Sequence, residues 1–121
     1  MAHYPYRAPI DAYGNGGFRF ADMSHRGSIL VMPDGIFGWE VQSPDELTPA
    51  ILEPILARLA PPAFLLLGTG AVQVFPTLEV RQAFAAARVG LDPMSTGAAA
   101  RTFNVLLAEG RAVSAALIAV G

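Results

Sequence analysis

The stretch Phe64-Leu65-Leu66-Leu67-Gly68-Thr69-Gly70 decides the fold. Four apolar residues stop abruptly at a Gly-Thr-Gly turn, with helix-like segments on either side. Such a run is a strand buried on both faces, its carboxyl end opening into a loop with accessible backbone. Ligands of open α/β sheets sit outside strand ends of this kind.

Outward from that stretch, the pattern alternates. Upstream, Thr48-Pro49 is a cap-then-Pro signal, and the helix it starts is expected to run to about Leu59. Pro54 lies inside it and should kink or break it. Ser43-Pro44-Asp45-Glu46 has capping-box spacing and reads as a turn. Downstream, Thr77 caps a helix over 78–89, with Glu79 in its first turn, Arg88 in its last and Gly90 as C-cap. Leu91-Asp92-Pro93-Met94 is a short extended piece. Ser95 or Thr96 then caps a helix reaching about Glu109, terminated by Gly110, and 111–120 is a closing strand.

The order from Phe64 onward is strand, helix, strand, helix, strand. Right-handed crossovers put these strands in one sheet covered by helices. If the Phe64 and Leu91 strands are parallel, the Gly68–Gly70 loop and the Thr96 helix start share one rim.

The first third is punctuated differently. Gly14-Asn15-Gly16-Gly17, His25-Arg26-Gly27 and Pro33-Asp34-Gly35 are turn clusters. The runs between them, including Phe18-Arg19-Phe20, Ser28 to Met32 and Ile36 to Val41, are strands, so this part reads as a β-meander. Residues 1–9 are expected to be a flexible arm and 10–121 one domain. The fold class is α/β: a three-layer single domain with a mixed central sheet flanked by helices, plus the N-terminal meander.

Composition narrows the function. The chain has 121 residues, 53% hydrophobic and 15% charged, with a net charge of −2. So sparse a charge content leaves apolar surface exposed and favours a protein partner or weak self-association. The acidic balance gives no footprint for nucleic acid. All eight basic residues are Arg, which removes P-loop lysines and Schiff-base chemistry. There is no Cys, hence no disulfide or thiolate ligand, which fits the cytoplasm. The charge-free run from Leu59 to Leu78 is broken by Pro61, Pro62, Gly68, Gly70 and Pro76, and so reads as strand, turn and loop rather than a membrane span.

Two stretches could form a ligand or partner site. Gly68, Thr69 and Gly70 offer backbone N–H groups to an anion, although no third Gly and no Lys complete a nucleotide motif. The alternative is a tight turn that only Gly tolerates. In Ser95-Thr96-Gly97-Ala98-Ala99-Ala100-Arg101-Thr102-Phe103-Asn104, small residues leave the helix start open. Arg101 stands early in that helix, against the macrodipole, as if to meet an anion or a carboxylate such as Glu109. Arg101, Asn104, Ala108 and Arg111 form one stripe, while Ala99, Phe103 and Leu106 form the core stripe. In the anion reading, Arg101 clamps, Thr69 and Thr96 donate and Asn104 orients. His25 and Ser28 lack a carboxylate to make a nucleophile–base pair, and His3 and His25 do not suggest a metal. No catalytic constellation, cofactor motif or metal cluster stands out. Trp39 reads as a core or interface anchor.

The ordered set Tyr13-Gly14, Gly17-Phe18-Arg19, Gly27-Ser28-Ile29-Leu30, Pro33, Trp39, Leu66-Leu67-Gly68-Thr69-Gly70, Thr96, Ala99, Arg101-Thr102-Phe103-Asn104-Val105-Leu106 and Glu109-Gly110-Arg111 resembles the domain of unknown function 498 family. That family includes mitochondrial respiratory complex I assembly factors and adipogenesis-associated proteins. The resemblance implies a three-layer α/β fold, no established catalytic activity, and action through partners. Members often carry Cys before the Arg-Thr pair and Asp before the capping Thr; here these positions are Ala100 and Ser95. The resemblance implies a bacterial member. The resulting expectation is a non-enzymatic protein-binding or assembly-factor-like domain, with respiratory-complex or membrane-assembly components as partners. The alternative is a small-molecule or anion-binding domain, or a minor enzyme, using the Gly68–Gly70 loop, the Thr96 helix start, Thr102 and Arg111.

Overall fold

In the computed structural model, which describes residues 3–121, the two-residue side-chain period of the apolar runs builds two cores on opposite faces of one sheet. In β7 (Ala63–Gly68), Leu66 faces one core while Leu65 and Leu67 face the other. The same division holds in β5 (Ser28–Met32), where Ile29 and Val31 oppose Leu30 and Met32. In β9 (Ser114–Leu117) it separates Ala115 and Leu117 from Ala116. Each fully buried Leu of β7 contributes about 1.5–3 kcal/mol of transfer free energy, which favours an interior place in the sheet over an edge.

Among the described residues the central sheet has six strands. With β1 (His3–Tyr4), β6 (Gly35–Trp39) and β8 (Val89–Met94), its order is β1-β6-β5-β9-β7-β8. β7 runs parallel to both β8 and β9, whereas β5 is antiparallel to β9 and β6. The sheet is therefore mixed, changing from parallel to antiparallel pairing across β9. On one face lie α1 (Pro49–Leu56) and α2 (Leu78–Ala86), burying Leu52, Ile55, Val80 and Phe84. On the other face lies α3 (Thr96–Ala108), burying Ala99, Ala100 and Phe103. Beside it packs a three-stranded antiparallel sheet of β2 (Ala12–Gly14), β3 (Gly17–Phe20) and β4 (Met23–Arg26). This sheet contributes Phe18 and Phe20 to the same core. The three-layer α/β architecture expected from the sequence is the one observed.

Local signals held where a cap set them. Thr48, Thr77 and Ser95 each accept a hydrogen bond from a first-turn amide, those of Ile51, Val80 and Ala98. Pro44–Glu46 forms a short 3-10 turn, and Gly110 ends α3 at φ +76°.

Five details differ from expectation. The segment expected to be a flexible arm forms β1 against β6 from His3, and Ala8 is buried; positions 1 and 2 lie outside the described residues. The meander is divided: β2–β4 make their own sheet while β5 and β6 join the central one. His25 and Arg26 belong to β4 rather than a turn; the reversal is at Ala21-Asp22, both left-handed at φ +50° and +61°. α1 runs through Pro54 and stops two residues later, at Leu56, short of Leu59. α2 is not capped by Gly90. Arg88 takes the left-handed position at φ +58°, and Gly90 pairs with Phe64 inside β8.

Candidate functional site

The carboxyl ends of β7 and β8 and the start of α3 meet, because β7 and β8 are parallel and Ser95 leads directly from β8 into the helix. Gly68, Thr69, Gly70 and Thr96 are all buried at this junction. Gly68 is there because a Cβ would lie 3.0 Å from Thr96 Cα and Oγ1 and from Leu117 Cδ2. Gly70 is left-handed at φ +104°, where other residues are strained.

Both threonine hydroxyls at the junction have partners. The Thr96 hydroxyl donates to the Ile118 carbonyl at 2.6 Å and accepts from the Gly70 amide at 2.9 Å. The Thr96 amide donates to the Gly70 carbonyl at 2.8 Å, and the Ile118 amide to the Gly68 carbonyl at 2.9 Å. One threonine thus joins three chain segments: the end of β7, the start of α3 and the residue after β9. The Thr69 hydroxyl donates to the Val72 carbonyl at 2.7 Å and accepts from the Val74 amide at 2.9 Å. It also lies 3.2 Å from the Met94 carbonyl, which takes the Thr69 amide at 2.9 Å. Gln73 Nε2 donates to the Pro93 carbonyl at 2.9 Å. These bonds bring the two halves of the expected rim together and fold the following loop back over it.

The remaining residues of the stripe go elsewhere. Asn104 closes a two-bond clamp on Ile10, accepting its amide at 2.8 Å and donating to its carbonyl at 2.9 Å, as a neighbouring strand would. Thr102 is half-buried on α3, and Arg111 is exposed beyond it. Arg101 is exposed and makes no ion pair among the described residues, not even with Glu109. Its guanidinium and the Tyr13 hydroxyl both close over Gly97. The Ser28 hydroxyl donates to the Val41 carbonyl at 2.6 Å and accepts from Ala119. Among the described residues no group of three or more His, Asp or Glu is placed to hold a metal.

What the junction supports is an apolar surface that the sequence reading passed over. The loop it anchors exposes Val72 (66%), Phe75 (70%) and, in the first turn of α2, Leu78 (54%), with Val74 beside them. A cavity of about 350 Å³ lies between this loop and the 3-10 turn, lined by Leu47, Val74, Phe75 and Pro76 and flanked by Asp45. The signal was present in the charge-free run, where Val72, Val74 and Phe75 fall between Gly70 and Pro76 with no polar residue but Gln73.

The family profile described as protein of unknown function (DUF498/DUF598) matches residues 10–118. The chain belongs to this family. A family relative, an uncharacterised protein of Rhodobacter capsulatus, is 39% identical over 110 residues, covering 91% of this chain and 83% of its own. A crystal structure described as an outer membrane protein of Bartonella henselae is 52% identical, with a TM-score of 0.90 over 98% of this chain and 99% of that one. The mouse NADH dehydrogenase (ubiquinone) 1 alpha subcomplex assembly factor 3 is 28% identical over 124 residues, and the match spans 64% of its length. Among the described residues of this family member, no helix is long and apolar enough to cross a membrane.

Proposed function

We propose that this chain is a non-enzymatic protein-binding domain of the assembly-factor kind, acting on components of a membrane-bound respiratory complex. The observation that carries this reading is the loop 71–77 and the first turn of α2, which hold Val72, Phe75 and Leu78 in solvent. The Thr69 hydroxyl and the Gln73–Pro93 bond brace the loop. Exposed aromatic and aliphatic side chains on a preformed loop bind with little ordering cost, and such anchors dominate protein interfaces. In this reading Gly68, Thr69, Gly70 and Thr96 act as the foundation of the partner site, not as ligands themselves. Similarity to a mouse assembly factor of NADH dehydrogenase supports the class of partner.

The experiment is genetic complementation with a native-gel readout of respiratory complex I. Cells lacking the chain accumulate a subassembly, wild type restores the full complex, and Phe75→Ser with Val72→Ser does not, although the variant protein is folded and present. Full assembly without the chain refutes the reading. Full rescue by the double variant refutes the loop's part in it.

A further inference from the structure

The outer face of the β2–β3–β4 sheet carries a groove of about 440 Å³ with two arginines and no carboxylate in its lining. The register explains why. Ala12, Arg19 and Ser24 lie abreast across the three strands, and Gly14, Gly17 and Arg26 lie abreast one pair of residues further along. Residues two apart on a strand share a face. Phe18 and Phe20 point into the core, so Arg19 and Arg26 point to solvent as diagonal neighbours on adjacent strands. Diagonal positions stand about 7–8 Å apart, within the span of two long side chains. Gly14 and Gly17 put no side chain between them.

Two guanidinium groups placed this way repel each other, and neither has an ion pair or side-chain hydrogen bond among the described residues. On a chain of net charge −2, two arginines on one groove with no carboxylate in the lining make this face locally positive, as an anion site requires. The planar donor fork of Arg matches phosphate oxygens in pairs, and a dianion has enough oxygens for both forks. Ser24, abreast of Arg19, and Asn15 in the adjoining turn add neutral donors. The volume falls in the range of small-molecule sites.

We infer that this groove binds a phosphate monoester, with Arg19 and Arg26 as its paired ligands. It is a site separate from the loop 71–77 and does not depend on that loop's role. The same chemistry is offered by a soluble sugar or glycerol phosphate and by the headgroup of phosphatidic acid.

The test uses the full chain. Glycerol 3-phosphate is titrated while amide and arginine side-chain NMR signals are followed. In parallel, the chain is sedimented with phosphatidylcholine vesicles with and without phosphatidic acid. The expected result is saturable shifts confined to residues 12–26, or sedimentation dependent on phosphatidic acid; the arm that responds identifies the source of the monoester. Affinity falls about tenfold or more for Arg19→Gln or Arg26→Gln, as for loss of a charge-assisted contact. Ser24→Glu, which places a carboxylate between the arginines, abolishes binding, and Arg81→Gln on α2 leaves it unchanged. No response in either arm overturns the inference, as does binding that persists in the Arg19→Gln/Arg26→Gln variant.

Discussion

Replacing Thr96 by Val removes one oxygen from the centre of the junction and keeps the side chain's shape. Thr96 is fully buried, so no water takes the place of that oxygen. The Gly70 amide and the Ile118 carbonyl then lose the bonds of 2.9 and 2.6 Å that they make to it. Each buried polar group left without a partner costs about 1–3 kcal/mol, so the pair costs about 2–6 kcal/mol, less a fraction returned by burying a methyl group. Against a total stability of about 5–15 kcal/mol this is a large loss. Unfolding entropy of about 2 cal/mol/K per residue converts each kcal/mol into roughly 4 °C for a chain of this length, giving a fall in Tm of about 12–16 °C for a central loss near 3–4 kcal/mol. Thr96→Ser retains the hydroxyl and gives up only a methyl group, at about 1 kcal/mol. Urea unfolding followed by circular dichroism measures both. Amide exchange at Gly70 provides a local readout and should accelerate in the Val variant only. If the Val and Ser variants differ by less than about 0.5 kcal/mol, the hydroxyl is not what ties the three segments together.

Two further outcomes test the packing around the site. Asn104→Ala strips both bonds from Ile10, costs about 1–3 kcal/mol, and should expose the preceding segment to trypsin at Arg7 while the core stays folded; an unchanged cleavage rate would refute the clamp. Arg58→Ala removes the contacts at 2.7 and 3.0 Å to Asp34 and the stacking 4.4 Å above Phe37, but Asp34 is 68% exposed, so the loss should be only about 0.5–1 kcal/mol; most of its ionic part should vanish in molar salt, as denaturation at two salt concentrations can check.

The parts of the fold that could be read from residues alone are those set by neighbours in sequence. Thr48, Thr77 and Ser95 cap helices because a short side-chain oxygen reaches an amide three residues on, and that geometry needs no knowledge of the rest of the chain. Leu65, Leu66 and Leu67 announce a strand buried on both faces for a similar reason. What escaped was pairing at long range. Nothing in His3-Tyr4 specifies β6 as a neighbour, and Asn104 finds its partner 94 positions away. Arg88 was misread because tertiary packing placed a left-handed residue before the glycine that propensity favours. At the site, the meeting of Gly70 and Thr96 followed from parallel strands. That Thr96 would spend its hydroxyl on Ile118 did not, since the partner lies in a segment 22 residues further on.

The place of β9 has a consequence for how the molecule is made. It follows every other element in the chain, yet it lies between β5 and β7. On a ribosome, everything from β1 to α3 emerges while the sheet still has a gap in its middle. The nascent chain therefore holds two fragments, each with an unpaired inner edge, and such edges invite pairing with other chains. Only when 114–117 emerges can both edges be closed at once, one by antiparallel and one by parallel bonds. Truncation just before this strand should therefore yield an aggregating product rather than a smaller folded domain, and the interval before 114–117 emerges is when the chain most needs a chaperone.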